Sequence, residues 1–144
     1  MRHPSPVASA QDVQQAQSFF DQLAGKPLIQ YCVGVGVRLD FAVPTFPELT
    51  IETPITVERA GDVQVAEPHS QLVVMTLLGL LDQAAEPTVA NSGQLTLRFT
   101  GGTTLIVPPD DKYEAWQLRD DDDLLIVCMP GGELAIWLPK RAKE

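Results

Sequence analysis

The stretch Gly93–Asp111, GQLTLRFTGGTTLIVPPDD, decides how this chain is expected to fold. Apolar residues alternate with polar ones through LTLRF at 95–99, the pattern of a β-strand with one buried face. The glycine pair of TGGT supplies the positive φ angles of a tight turn, and apolar residues return in TLIV at 104–107. The segment therefore predicts an antiparallel hairpin.

Strand patterns recur on both sides of this hairpin. LIQYCVGVGVRLDF at 28–41 is rich in β-branched and aromatic residues and alternates from Val33 onwards. ELTIETPITVE at 48–58 gives a second alternation, in which Pro54 marks a bend or an edge. Residues 113–139 contain three short strand-like segments, separated by an acidic turn and by PGG.

Two segments have helical periodicity instead. Residues 11–24 place their apolar side chains on one stripe, and Gly25 and Pro27 end the pattern. QLVVMTLLGLL at 71–81 is apolar nearly all round, which is typical of a helix buried on more than one side. We therefore expect an α+β fold, built from antiparallel β-sheet and two helices.

The two halves of the chain resemble each other. VRLDF at 37–41 superposes on LTLRF at 95–99, so that Phe41 falls on Phe99, and each strand follows a helix and precedes a turn and a further strand. Duplication explains this similarity, and so does the general likeness of any two hairpins. If the duplication is real, the fold consists of two α-β-β units sharing one sheet, plus a C-terminal β extension.

Length and composition predict a single domain. The chain has 144 residues, of which 44% are hydrophobic and 20% charged, enough apolar surface for a core. We expect residues 1–10 to be a flexible N-terminal lead-in, 11–139 the domain and 140–144 a frayed tail. The start of the chain lacks an apolar signal segment, and the most apolar run, 72–81, is too short to span a bilayer. These features favour a cytoplasmic protein without membrane segments.

The charge balance restricts the classes of partner. A net charge of −9 and a pI near 4.5 repel nucleic acid and anionic membranes, which bind proteins through Lys and Arg. A basic protein or a cation is the electrostatically favoured partner. Acidity also serves solubility alone, and that interpretation stays open.

The acidic run at Asp120–Asp123 is the most prominent charged feature. Its consecutive aspartates lack the alternating ligands of a calcium loop, and Asp is a good turn former. We interpret the run as a solvated hairpin turn or as a docking site for a basic partner. The hypothetical docking face comprises the acidic residues Asp120, Asp121, Asp122, Asp123, Glu114 and Glu133.

No catalytic residues, cofactor or metal ligands are predicted. His3 and His69 have no Cys, Asp or Glu at metal-ligand spacing, and no serine lies in a nucleophile motif. Cys32 and Cys128 lie in apolar strand-like stretches, so buried free thiols are favoured over a disulfide.

Aromatic residues concentrate in the last third of the chain. Trp116 and Trp137 are expected in the core, and an exposed cluster that includes Tyr113 is the alternative, which would form a protein-binding hot spot.

The segments YEAW at 113–116 and PGGELAIW at 130–137 resemble an uncharacterised family of small actinobacterial proteins with YEAW and PGG-x-LAxW motifs. Weaker matches, such as the strand at 37–41 and IETP at 51–54, extend the resemblance over nearly everything after residue 20. The chain departs from the family in having four aspartates where the family turn carries glycine. The resemblance implies no activity and no catalytic residues.

The preferred hypothesis is a non-enzymatic, acidic protein-binding module, similar to an immunity protein that inhibits a basic partner, by analogy only. The alternative is a small-ligand-binding protein or enzyme with a pocket between helix and sheet. A structural or accessory role also stays open. A homodimer through an uncapped sheet edge is a further expectation.

Overall fold

Alternating apolar residues build two antiparallel sheets, which share one core with two helices. A computed structural model describes the chain from Ala8 to Lys143. Its elements, in chain order, are α1 (Ala10–Phe20), β1 (Leu28–Val33), β2 (Val37–Phe41), β3 (Glu48–Ile51), β4 (Ile55–Arg59), β5 (Asp62–Ala66), α2 (Gln71–Leu80), β6 (Ala85–Val89), β7 (Leu95–Phe99), β8 (Thr103–Val107), β9 (Trp116–Arg119), β10 (Leu125–Cys128), β11 (Leu134–Trp137) and α3 (Lys140–Lys143).

Sheet I has the strand order β1-β2-β3-β9-β10-β11, and sheet II has the order β5-β4-β8-β7-β6. All neighbouring strands are antiparallel. The hairpin expected at 95–107 is β7–β8, with Leu95 opposite Val107. The α+β class and the antiparallel sheet are thereby confirmed.

The connectivity of the first half corresponds to that of the second. In the first half, α1 precedes a three-strand meander, β1-β2-β3, in sheet I. The chain then crosses to form β4-β5 in sheet II. The second half places β6-β7-β8 in sheet II and crosses to form β9-β10 in sheet I. Because β3 pairs with β9 and β8 pairs with β4, each half completes the sheet of the other. The single sheet expected to be shared by two units is therefore wrong, while duplication itself stays a hypothesis.

Details at the junction repeat the same correspondence. Gly25 and Asp82, each following a helix, both have positive φ angles, 76° and 68°. A bridge joins Pro27 to Ala84, the residues that precede β1 and β6. β11 and α3 follow the last strand of the second half, and β5 has no such successor in sheet II.

One apolar cluster fills the space between the layers. Phe20 of α1 meets Trp116 of β9 edge to face, with ring centroids 5.4 Å apart. α1 contacts β6 and β11, while α2 contacts β1. The expectation that α2 is buried on several sides is wrong: Met75 and Leu78 are 60% and 57% exposed. The fully buried residues of the helix, Val73, Leu77 and Leu80, lie on one side of it.

Each end of the described range carries a short structural feature. Residues 140–143, in the expected tail, form a helical turn in which Arg141 binds aspartates of the β9–β10 loop. Ser9 caps α1 by accepting a hydrogen bond from the Asp12 N–H at 3.1 Å, and residues 1–7 of the expected lead-in lie outside the described range. Within that range, no helix has the length and apolar character to cross a membrane.

Candidate functional site

The outer face of sheet I carries a row of mixed side chains. Adjacent residues of the row face each other across every strand pair of this sheet: Gln30, Asp40, Glu48, Arg119, Leu125 and Trp137. On the inner strands of the sheet, the residues of the opposite face are buried, among them Leu49 and Leu118. The row is therefore the solvent-facing register of the sheet.

A groove of about 520 Å³ occupies the half of this face nearest to β11. Its walls combine aromatic, acidic and aliphatic groups with one arginine: Phe46, Glu48, Arg119, Asp120, Asp121, Asp123, Leu124, Leu125 and Trp137. Phe46 lies beside β3 and Trp137 on β11, three strands further along the sheet, which is about 14 Å at the usual strand spacing. We call this surface the Phe46–Trp137 groove.

Both aromatic side chains of the groove are displayed to solvent. Phe46 is 69% exposed and Trp137 54% exposed. Phe46 also has a φ of 51°, the left-handed region that costs a bulky residue free energy. The exposed Phe46 side chain does not pack in the core, and its backbone angle is unfavourable for a bulky residue. Phe46 is therefore a candidate contact residue for a partner.

Most of the acidic run is engaged within the chain. The Asp120 side chain accepts hydrogen bonds from the N–H groups of Asp122 and Leu124, at 2.9 and 3.1 Å, and lies 2.9 Å from an Arg141 nitrogen. Asp122 accepts from the Arg141 backbone N–H at 3.1 Å and from its side chain at 3.0 Å. The side chain of Asp123 lies 3.3 Å from Lys140, in an exposed ion pair.

These contacts have electrostatic consequences. Hydrogen bonds from Arg141, first from its backbone N–H and then from its side chain, lower the pKa of the Asp122 carboxyl. Asp121 makes no ion pair among the described residues and is exposed. Of the four aspartates, Asp121 is thus the one best placed to meet a partner.

The six predicted docking residues do not form a single face. Asp120–Asp123 follow the end of β9, and all of them except Asp122 line the groove. Glu114 precedes β9, and Glu133 precedes β11, at the opposite end of these strands, since β10 runs antiparallel to both. Both glutamates are exposed, but they lie away from the aspartates.

Sequence reasoning missed several groove residues and misplaced others. Phe46, Glu48 and Arg119 were not singled out, and PTFPE, with proline on both sides of Phe46, was the available signal. Trp116 is buried as expected, whereas Trp137 is exposed because it ends the outermost strand of sheet I.

The two cysteines are free but differ in environment. Cys128 is buried, and this burial raises the pKa of its thiol to about 11. The expectation of a buried Cys32 is wrong, because this residue lies on the exposed side of the edge strand β1.

A second hollow, of about 470 Å³, is lined by Gly34, Val35, Glu52, Glu67 and His69. No group of three or more His, Cys, Asp or Glu side chains in the described part of the chain could hold a metal ion. Neither hollow is lined by residues of α1 or α2.

Comparison with known proteins gives one match. A family model described as a family of unknown function, DUF6188, matches residues 20–138, a range that contains every residue lining the groove. No curated protein and no solved structure gives a significant match.

Proposed function

The chain belongs to DUF6188, a family of unknown function, and we propose that it is a non-enzymatic protein-binding module whose docking surface is the Phe46–Trp137 groove. The observation that carries this proposal is the exposure of Phe46 and Trp137 on either side of Arg119. Aromatic and arginine side chains supply most of the binding energy at protein interfaces.

The partner that fits this surface is a basic protein with apolar anchors. The chain carries a net charge of −9, and Glu48 and Asp121 add carboxylates to the groove. Opposite charges at the rim speed the encounter and select the partner, while aromatic contacts at the centre hold it. An inhibitor similar to an immunity protein, acting in the cytoplasm, would work in this way.

The ion pairs within the acidic run refine which residues take part. Because Arg141 engages Asp120 and Asp122, we assign the main acidic contact to Asp121 and the main apolar contacts to the two aromatic residues. Glu114 and Glu133, at the far end of the sheet, would contact only a partner large enough to cover the whole outer face.

The test is a pull-down from lysate of the source organism with matched variants. We expect a basic protein to be retained by the wild type and by Met75→Ser/Leu78→Ser, but lost from Phe46→Ser/Trp137→Ser. The control replaces apolar residues that are similarly exposed on α2. Retention is also expected to fall at high salt.

The binary complex must then be rebuilt from purified components. By calorimetry, Trp137→Ala is expected to weaken binding by about 2 kcal/mol or more, roughly 30-fold. Equal binding by wild type and groove variant, with both folded by circular dichroism, would contradict the proposal.

The alternative, a small-ligand-binding protein or enzyme with a pocket between helix and sheet, receives less support. The groove lies on the outer face of a sheet and is lined by strands and loops. Ligand pockets bury most of their ligand and converge polar groups upon it. A thermal-shift screen of metabolites separates the two functions, because only the alternative predicts stabilisation by a small molecule.

A further inference from the structure

Strand β5 forms an open edge of sheet II. At the corresponding position of sheet I, a further strand, β11, lies beside β10. β10 is the counterpart of β5: each is the second strand after the chain has crossed between sheets. β10 pairs on its outer side with β11, whereas β5 ends its sheet. The molecule thus shows, in sheet I, what kind of element completes this position.

β5 lacks the features that usually protect an edge strand. Residues 62–65 are all exposed, and Val63 and Val65 are 56% and 69% exposed on the same face. The strand has no lysine, no proline and no bulge against β4, where the register is regular from Ile55 to Arg59. Such an edge is a template for pairing with another strand.

The hairpin geometry identifies which backbone groups are free. Ala60 and Gly61, with φ of 51° and 83°, form the two-residue turn between Arg59 and Asp62. A turn of this kind closes with a hydrogen bond to the N–H of its fourth residue, so Asp62 points its amide at β4. Since the direction alternates along a strand, the N–H and C=O groups of Val63 and Val65 point outwards.

We propose that β5 pairs with β5 of a second copy of this chain, antiparallel and centred on Gln64. In this register Val63 lies opposite Val65 of the second copy, and the two residues exchange both hydrogen bonds, twice per dimer. Asp62 lies opposite Ala66, so no like charges meet. The two five-stranded sheets become one continuous sheet, with a two-fold axis at the Gln64 pair.

Neighbouring registers are less complementary. Centring the pair on Val63 would place Val65 opposite Gly61, and centring it on Val65 would place Val63 opposite Glu67. Only the register about Gln64 pairs all five residues of the strand and groups the four valines on one face. Because a strand this short buries little area, the dimer is expected to be concentration-dependent.

The register is tested by disulfide cross-linking in a Cys32→Ser background, where Cys128 is buried. Across the axis, two copies of Gln64→Cys would have Cα atoms about 4.5 Å apart, within disulfide range. Two copies of Asp62→Cys, the matched control, would be about 13 Å apart and out of range. We expect a covalent dimer from Gln64→Cys alone on a non-reducing gel after mild oxidation.

The free equilibrium is tested by sedimentation velocity from about 1 μM to about 1 mM. We expect the wild type and the surface control Leu78→Lys to dimerise with rising concentration, and Val65→Lys to stay monomeric because lysine blocks sheet edges. A wild type that is monomeric throughout, or equal cross-linking of the two cysteine variants, overturns the proposal. The edge lies on a different sheet from the Phe46–Trp137 groove, so the two proposals fail independently.

Discussion

Two glycines show how single residues hold the sheets together. Gly93 lies in the β6–β7 turn and Gly132 in the β10–β11 turn, with φ of 91° and 104°. A Cβ on Gly132 would collide with the Ser92 carbonyl oxygen. The Trp116 indole donates to the Gly93 carbonyl at 2.9 Å in the same region. The YEAW and PGG motifs thus come together, each beside the turn that contains Gly93.

Gly132→Ala is expected to lower the free energy of unfolding by roughly 2–4 kcal/mol, which combines backbone strain with the collision. Gly102→Ala is the control: its φ is also positive, 96°, but a Cβ there would meet nothing within 4 Å. The control is expected to lose only about 1–2 kcal/mol. Urea denaturation of both variants measures the difference, and equal losses would mean that the turn–turn contact is unimportant.

Thiol reactivity is expected to distinguish the cysteines. Exposed Cys32 should react with Ellman's reagent at once, whereas buried Cys128, with a pKa of about 11, should react only after unfolding. At pH 8 only about one thousandth of the Cys128 thiol is ionised. Loss of the rapid phase in Cys32→Ser would assign it, and two rapid thiols in the wild type would show that Cys128 is accessible.

Among the elements, α1 covers the β6 edge of sheet II through one side chain, that of Gln17. The Gln17 amide donates to the Pro87 carbonyl at 2.9 Å, and its oxygen accepts from the Val89 N–H at 2.8 Å. The side chain therefore pairs with β6 as a neighbouring strand would, which explains why this edge is not open like β5.

Gln17→Ala is expected to destabilise the fold by about 1–3 kcal/mol, because two partly buried backbone groups lose their partner. Gln14→Ala, exposed on the same helix, should stay within about 0.5 kcal/mol of the wild type. Thermal and urea unfolding provide the comparison; a neutral Gln17→Ala would show that water replaces the amide at the strand edge.

The C-terminal turn α3 depends on charge, and so its docking depends on pH. Asp122 has a lowered pKa in the folded state, so its stabilising contribution is complete well above the ordinary aspartate pKa, about 3.9, and is lost progressively as the pH falls below that value and through the lowered folded-state pKa. Arg141→Ala should therefore lower the urea midpoint at pH 7, and its difference from the wild type should narrow as the pH falls below about 3.9. Lys140→Ala, which removes an exposed pair, is the control. A gap that persists unchanged at low pH would contradict the assignment.

Most elements were predictable, and those that were missed have a physical cause. β7 and β8 were evident because a buried face imposes alternation and a glycine pair marks their turn. β5 was missed because an exposed edge strand has no buried face to impose a pattern, and β6 because Pro87 interrupts it. Alternation also tells which residues are buried but not which sheet receives the strand, so one sheet was expected where two exist.

The groove was predictable only in part, for a related reason. The acidic run was evident from the sequence as four consecutive aspartates. Its ion pairs with Arg141 were not predicted, because the segment that contains Arg141 was expected to be a frayed tail. Trp137 was expected in the core because it is hydrophobic. It is exposed because it ends the outermost strand of sheet I, and the position of a strand within a sheet cannot be read from local sequence.

At the scale of the whole molecule, the halves are expected to be interdependent. Because β3 pairs with β9 and β4 with β8, fragments 1–67 and 68–144 should each be largely unfolded alone and regain β-structure when mixed. Circular dichroism and chemical-shift dispersion test this, with the intact chain as reference. A fragment that folds alone would show that the exchanged strands are dispensable.

The same strand exchange has a consequence for synthesis on the ribosome. β3 and β4 emerge well before β9 and β8, so at the usual rate of elongation they wait roughly 2–14 s for their partners. During that interval β3 and β4 each expose one strand edge, because their local partners β2 and β5 cover only the other edge. Chaperones that hold nascent chains therefore have a defined period in which to bind, which ends when β9 has left the exit tunnel. Slower translation would lengthen this period.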